Sequence, residues 1–98
     1  MRHIFVLLAS LPLAAAAEYI QTAANKFDGG ATCQGKRLSD AVCSNNAIGK
    51  LQCDAAAGCN AFIRNDVDDK CYLYNMPTDL IKPVADSGCI AVGGAWHT

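Results

Sequence analysis

Histidine, the side chain that most often moves protons in catalysis, is scarce in this 98-residue sequence. Only His3 and His97 are present, and His97 stands next to the last residue. The chain also lacks a G-x-S-x-G elbow, an H-E-x-x-H pair and a glycine-rich phosphate loop. We therefore predict no enzymatic activity and no cofactor, with catalysis by a pair of carboxylates, which works without histidine, as the alternative.

An excess of positive charge is missing as well. Arg2 is the one Lys or Arg before Glu18, so residues 18–98 carry seven Lys and Arg against nine Asp and Glu, a formal net charge of −2. Nucleic-acid-binding domains are usually basic, with a pI above about 9, and membrane-surface binders are rich in Lys and Arg. We expect neither a nucleic-acid partner nor a membrane-active, antimicrobial role.

The longest apolar run is too short for a transmembrane helix. Ile4–Ala17 supplies 14 residues, whereas a spanning helix needs roughly 20. The run follows two basic residues and ends in Ala15-Ala16-Ala17, small residues of the kind that a signal peptidase recognises. We predict a signal peptide over 1–17, cleaved before Glu18 or one residue earlier, and an extracellular domain over 18–98 with no membrane insertion.

Six cysteines are the strongest positive signal in this predicted domain. Their intervals are nine, nine, five, eleven and seventeen residues, which fits neither the C-x2–4-C pairs of zinc sites nor the C-x-x-C of redox enzymes. An even count behind a signal peptide, in a domain too small to bury a large core, indicates three structural disulfides and no metal site. The cysteines are Cys33, Cys43, Cys53, Cys59, Cys71 and Cys89.

The longest predicted helix covers 47–57. Ile48, Leu51 and Ala55 recur at i, i+3 and i+7, so they share one apolar face. Residues suited to N-caps precede the helix, and Gly58 fits the position just past its end, where a left-handed backbone is needed.

Strand-like segments separated by turn signals surround this helix. The pattern predicts strands at 19–20, 60–64, 71–74 and 89–92, turns at 27–30 and 65–69, a loop at 76–82 and one helical turn within 38–43. The strands at 60–64 and 71–74 form a hairpin around the polar turn between them. The predicted fold class is α+β, a small disulfide-rich domain with one main helix packed on a small antiparallel sheet.

The run LQCDAAAGCNAF over 51–62, followed by KCYL over 70–73, resembles the core of PAN/apple-like domains. In that family a cysteine-bearing, alanine-rich helix leads into a C-x-A-F strand, a turn and a C-x-L strand. Segment 51–73 spans a little over a quarter of residues 18–98. The resemblance implies a domain that binds proteins or carbohydrates and is not itself catalytic.

The same resemblance implies a disulfide pairing. The family helix often carries two cysteines one turn apart, whereas here Gly49 stands four residues before Cys53. If Cys43 takes the missing role, the implied pairs are Cys43 with Cys71, Cys53 with Cys59, and Cys33 with Cys89. This is one of the fifteen pairings that six cysteines allow.

The overall layout resembles the small cysteine-rich secreted proteins of filamentous fungi, which include effectors of plant-colonising species. An alanine-rich signal ending, a short secreted domain, six cysteines and no enzyme motif carry that resemblance. It implies a virulence-related effector that acts on a protein or glycan partner outside the producing cell, in association with a host. A carbohydrate-binding, lectin-like module of the matrix or cell wall is the alternative, and we expect a monomer in either case.

Because the disulfides occupy the interior, we expect any binding surface to lie on the loops at 65–69 and 76–82 and on the tail around Trp96. Tyr72 and Tyr74 point to one face of their strand, either as a platform for stacking a sugar or as core residues with wet hydroxyl groups. Trp96 is either a lid on the core or an exposed contact.

Three aspartates in the 65–69 turn form the densest charge cluster of the chain. They could in principle bind calcium, but an EF-hand loop needs a glycine at its sixth position and a glutamate at its twelfth. We therefore predict a solvated turn, with Asp66 and Asp68 as candidate contacts for a partner. The aspartates are Asp66, Asp68 and Asp69.

Overall fold

The computed structural model describes residues 18–93. The predicted signal peptide over 1–17 and the tail over 94–98, with Trp96, lie outside the described residues. The elements are β1 Tyr19–Thr22, β2 Ala24–Phe27, β3 Gly30–Cys33, β4 Lys36–Val42, α1 Asn46–Ala55, β5 Ala61–Asn65, β6 Lys70–Asn75, a 3-10 turn Thr78–Leu80, and β7 Cys89–Val92.

Five strands form one antiparallel sheet in the order β1-β7-β5-β6-β4, and β2 pairs with β3 in a separate hairpin. Alternate residues of β5 face opposite sides of the sheet. Phe62 packs on the side that carries α1, while Ala61 and Ile63 pack on the side that carries the β2–β3 hairpin. The predicted α+β class, with one helix on an antiparallel sheet, is confirmed.

Helix α1 begins at a side-chain cap. The Asn45 side chain accepts a hydrogen bond from the Ile48 backbone N–H at 3.0 Å, which satisfies a donor that the first turn leaves unpaired. The helix ends at Ala55, two residues earlier than the sequence pattern predicts, and Gly58 follows with φ of 80°. The predicted left-handed glycine beyond the helix is therefore confirmed.

The apolar face that the spacing indicates does not face the sheet. Ile48 and Leu51 are exposed, Leu51 by 69%, and the buried helix residues are Gly49 and Cys53. Gly49 is buried because the Phe62 ring lies directly against its backbone, and Cys53 is buried in the same cluster as Phe62 and Leu73. Close approach of the helix backbone to Phe62, rather than the size of the apolar side chains, sets the orientation of the helix.

The prediction of a helical turn within Leu38–Cys43 is wrong. Residues 38–42 belong to β4, and Cys43 directly follows it. The strand pairs with β6 through Val42↔Lys70 and, across a bulge near Leu38, through Arg37↔Tyr74. Nearly every side chain of β4 is exposed because the strand is the edge of the sheet. An edge strand with both faces in water has no alternation of apolar and polar residues for sequence analysis to detect.

The remaining strand predictions are confirmed with small shifts of boundary. Residues 19–20, 60–64, 71–74 and 89–92 coincide with β1, β5, β6 and β7, and the β5–β6 hairpin turns over 66–69. The 76–82 segment is irregular apart from its 3-10 turn, but Met76 and Ile81 are buried in the core. The β2–β3 hairpin extends the one turn that was predicted at 27–30.

Three disulfides connect the elements: Cys33–Cys89, Cys43–Cys71 and Cys53–Cys59. These are the pairs that the PAN/apple-like resemblance implies. They span 56, 28 and 6 positions of sequence. By loop-closure entropy they contribute about 4, about 3.5 and about 2 kcal/mol to stability, so the two long cross-links carry most of the benefit.

The contact of Gly49 with Phe62 gives the first testable prediction. A Cβ at position 49 would lie 2.7 Å from Phe62 Cδ2 and 2.9 Å from Cys71 Sγ. Gly49→Ala should therefore lower the free energy of unfolding by at least about 1 kcal/mol, although alanine favours helices by about 1 kcal/mol. Leu51→Ala should change it by less than about 0.5 kcal/mol.

Chemical denaturation of the oxidised protein measures both values. A neutral Gly49→Ala variant, or a Leu51→Ala variant that loses more stability than Gly49→Ala, would contradict this orientation of the helix.

Candidate functional site

A cleft of about 330 Å³ opens between two turns on the hairpin-bearing face of the sheet. Gly29 and Gly30 line one wall, at the turn between β2 and β3, and Val67 lines the other, at the turn between β5 and β6. Tyr72 of β6 and Ile63 of β5 lie between these walls. A smaller hollow of about 230 Å³ shares Tyr72 with the cleft and reaches Arg37 and Tyr74.

Two apolar side chains stand exposed at this site. Phe27 lines the hollow beside the cleft and is 58% exposed, although its ring lies over Gly30, where a Cβ would be 3.1 Å from Phe27 Cε1. Val67 is 93% exposed in the facing turn. Val42 and Leu51 are exposed to a similar degree elsewhere, so exposure alone does not mark a contact. Phe27 and Val67 differ from them in lining two neighbouring hollows that share Tyr72.

Two neighbouring side chains hold Tyr72 in place. Its hydroxyl donates to Asp68 Oδ2 at 2.7 Å, and the Arg37 guanidinium stacks over its ring with Cζ 4.3 Å from the centroid. Arg37 in turn donates to Asp40 Oδ2 at 2.7 Å. The hydrogen bond to Asp68, followed by desolvation, raises the pKa of Tyr72. The ring therefore presents one face to the cleft in a fixed orientation.

The Arg64 side chain fixes the β5–β6 turn through its hydrogen bonds. Its Nη1 donates to Asp66 Oδ1 at 2.7 Å, its Nη2 donates to Asp69 Oδ1, and its Nε donates to the Cys43 carbonyl at 2.8 Å. The Asn65 side chain accepts from the Val67 backbone N–H at 2.8 Å, as in an Asx turn. These bonds hold the wall that carries Val67.

The acidic cluster of this turn is occupied by hydrogen bonds within the chain. Arg64 forms ion pairs with Asp66 and Asp69, and the Tyr72 hydroxyl donates a hydrogen bond to Asp68. Within residues 18–93 no group of three His, Cys, Asp or Glu side chains has the arrangement to hold a metal ion. The turn is exposed, as predicted for a solvated hairpin turn.

The structure brings together part of the predicted binding surface. Tyr72, Asp66 and Asp68 all lie at the cleft or its turn, and Tyr72 shares its face of β6 with Tyr74 as predicted. Tyr74 is only 4% exposed, and burial raises its pKa, so it acts mainly as a core residue. Trp96 lies outside the described residues.

Phe27 and Arg37 are not among the predicted contacts, and Val67 is predicted only as part of the 65–69 loop. Phe27 precedes an Asp-Gly-Gly turn, and that signal together with strand alternation indicates a hairpin wall. Val67 is the one apolar residue among the aspartates of the 65–69 turn, which is itself a signal of exposure. Arg37 meets Tyr72 only because β4 pairs with β6 across 35 residues, and no local pattern reports that contact.

Comparisons with protein-family models, curated proteins and solved structures found no match to this chain. PAN/apple-like character therefore stays a prediction from the residues quoted above. No helix among residues 18–93 is both long and apolar enough to cross a membrane.

Tyr72 ionisation gives the second testable prediction. Asp68→Asn should bring the pKa of Tyr72 back toward its ordinary value near 10, because the charged acceptor is lost. Asp66→Asn, a matched change in the same turn, should leave it unchanged, since Asp66 pairs with Arg64 instead. The tyrosinate absorbance band followed during alkaline titration measures the change, and a Tyr72→Phe variant identifies the Tyr72 step.

The raised pKa of Tyr72 also determines whether the stability of the fold rises or falls with pH. The folded protein keeps Tyr72 neutral at pH values where the unfolded chain already ionises it, so stability falls as pH rises above about 10. Equal titration curves for Asp68→Asn and the unchanged protein would contradict the Tyr72–Asp68 hydrogen bond.

Proposed function

We propose that this chain is a secreted, non-enzymatic interaction protein that holds a protein partner in the cleft between its two turns. Three disulfides are compatible with an oxidising, extracellular location. The observation that carries the proposal is the exposure of Phe27 and Val67 on either side of an ordered Tyr72. Exposed apolar and aromatic anchors around a preformed pocket are typical of protein interfaces.

Preorganisation of the cleft supports binding with little loss of conformational entropy. Arg64 donates two hydrogen bonds to one turn and a third to the Cys43 carbonyl. Arg37 and Asp68 fix the Tyr72 ring before any partner binds. Ordering costs are among the main terms that oppose association, so a wall that is already rigid favours affinity.

The effector role and the PAN/apple-like character are the finer parts of this proposal. The effector role rests on the resemblance in layout to small cysteine-rich fungal proteins. The family assignment is supported by the pairs Cys43–Cys71 and Cys53–Cys59, which the resemblance implies. The first joins the segment before the helix to β6, and the second joins the helix to the loop before β5. Transcript induction only during host colonisation would support the effector role, and constant expression in culture would contradict it.

A carbohydrate-binding module is the second candidate. It is favoured by the hollow beside the cleft, where the Tyr72 ring stands near the hydroxyl of Thr32 and the amide of Asn65, since sugars combine ring stacking with hydrogen bonds. Against it, the Arg37 guanidinium already covers one face of the ring. A glycan array probed with the oxidised protein discriminates between the two candidates.

The third testable prediction concerns the cleft anchors. The protein, secreted from its full-length sequence, is screened against recombinant extracellular proteins. For any partner found, Val67→Ala and Phe27→Ala should each weaken the dissociation constant by about tenfold or more, in the range typical of anchor residues. Leu51→Ala truncates an apolar residue on the helix, on the other face of the sheet, whose 69% exposure lies between those of Phe27 and Val67. This variant should leave the affinity unchanged.

Loss of binding in Leu51→Ala with full binding in both cleft variants would place the interface on the helix and overturn the cleft assignment. A clear glycan ligand without any protein partner would favour the carbohydrate-binding candidate. Val67→Ala is the safer variant, because a side chain exposed by 93% cannot support the fold.

A further inference from the structure

One disulfide differs from the other two in its access to solvent. The sulfurs of Cys33–Cys89 and Cys43–Cys71 belong to residues that are at most 2% exposed. In Cys53–Cys59, Cys53 is 1% exposed, but Cys59 is only partly buried in the loop between α1 and β5. Cys59 is thus the one cysteine of the chain whose sulfur belongs to a residue that solvent reaches.

The solvent accessibility of a disulfide determines where thiol–disulfide exchange begins. An attacking thiolate must reach one sulfur of the bond, and a buried bond reacts only after local opening of the fold. In the folded protein an external thiol therefore meets Cys59 first. Attack on Cys59 Sγ makes Cys53 the leaving group, which fixes the site of the new bond.

The loop around Cys59 has other anchors that remain after this exchange. The Cys59 N–H donates to the Ala56 carbonyl at 3.1 Å, and the Asn60 N–H donates to the Tyr74 carbonyl at 3.1 Å. The Asn60 side chain donates to the Met76 carbonyl at 2.9 Å and accepts from the Met76 N–H at 2.7 Å. The start of β5 is therefore held in place independently of the disulfide.

The disulfide itself closes the shortest loop of the three, so the unfolded chain gains the least entropy when it opens. Both long cross-links stay closed within the buried core. Opening of Cys53–Cys59 is accordingly compatible with the native fold, whereas opening of either other bridge requires the core to be exposed.

We propose that Cys59 is a site of reversible S-thiolation by a low-molecular-weight thiol such as glutathione. The thiolate sulfur bonds to Cys59 Sγ, the Cys53–Cys59 bond breaks, and Cys53 leaves as a thiolate that takes a proton from solvent. The exchange involves no net oxidation or reduction, because one disulfide is replaced by another. Return attack by Cys53 restores the original bond and releases the thiol. This site is separate from the cleft and does not depend on the proposed function.

The test uses the protein secreted from its full-length sequence and incubated with reduced glutathione at neutral pH without denaturant. The reaction is quenched by acid, free thiols are alkylated, and intact mass and peptide maps are recorded. The expected first product is heavier by one whole glutathione, attached at Cys59, with Cys53 alkylated and the near-ultraviolet circular dichroism retained. It should form at least about tenfold faster than any adduct at the other four cysteines, which need local opening of the core.

First attachment at any cysteine other than Cys59, or loss of the folded-state circular dichroism together with the first adduct, would overturn the proposal. The Cys53→Ala/Cys59→Ala double variant serves as control and should take up no glutathione under these conditions. Uptake by that variant at the rate of the unchanged protein would also overturn the proposal. Should the double variant fail to fold, the peptide map of the unchanged protein decides the outcome alone.

Discussion

Phe62 fills the space between the helix and the sheet, and the fit requires that residue 49 has no side chain. The ring edge lies so close to the Gly49 backbone that a Cβ there would be 2.7 Å from Phe62 Cδ2. This close approach brings α1 near enough to the sheet for Tyr19 to meet Phe62 edge to face, with ring centroids 5.8 Å apart, and to donate to Asp54 at 2.6 Å. The helix is therefore held against the sheet by the Phe62 ring, which fits because residue 49 has no side chain. Two disulfides, Cys43–Cys71 and Cys53–Cys59, lie next to this contact.

The other face of the sheet is organised by a different set of contacts. Thr22 is completely buried, and its hydroxyl donates to the Leu80 carbonyl while it accepts from the Lys82 N–H at 3.0 Å. This pair of bonds satisfies a buried polar group and fixes the long segment before β7 against β1. The cross-link Cys33–Cys89 then joins the β2–β3 hairpin to the same face. The two faces share only the strands between them.

Local sequence signals predict the elements that pack against one another and fail for those that do not. The strand at 71–74 has buried and aromatic residues throughout, so its pattern is clear, whereas the exposed edge strand β4 was misread as a helical turn. The sequence predicts the helix but not the face that it buries. A large apolar residue such as Leu51 suggests burial but is exposed, whereas Gly49 and Cys53 are the buried helix residues. A cysteine and a glycine four residues apart were the available signal, since those positions share one face of a helix.

The candidate site shows the same division between local and distant information. The sequence predicts Tyr72 as a contact because its strand is recognisable. It predicts Asp68 because the turn between β5 and β6 is also recognisable. The pairing of β4 with β6, and with it the stacking of Arg37 on Tyr72, depends on contacts across the whole sheet that no short window of sequence contains.

Each wall of the cleft depends on one of the two long disulfides. The β2–β3 hairpin ends at Cys33, which is bonded to Cys89. The facing turn is held by Arg64, whose Nε donates to the carbonyl of Cys43, and Cys43 is bonded to Cys71, the neighbour of Tyr72. Cys53–Cys59 touches neither wall, because it joins the helix to the loop before β5. The bridges that shape the cleft are thus the buried ones, and the partly exposed bridge is the one whose chemistry leaves the cleft unchanged.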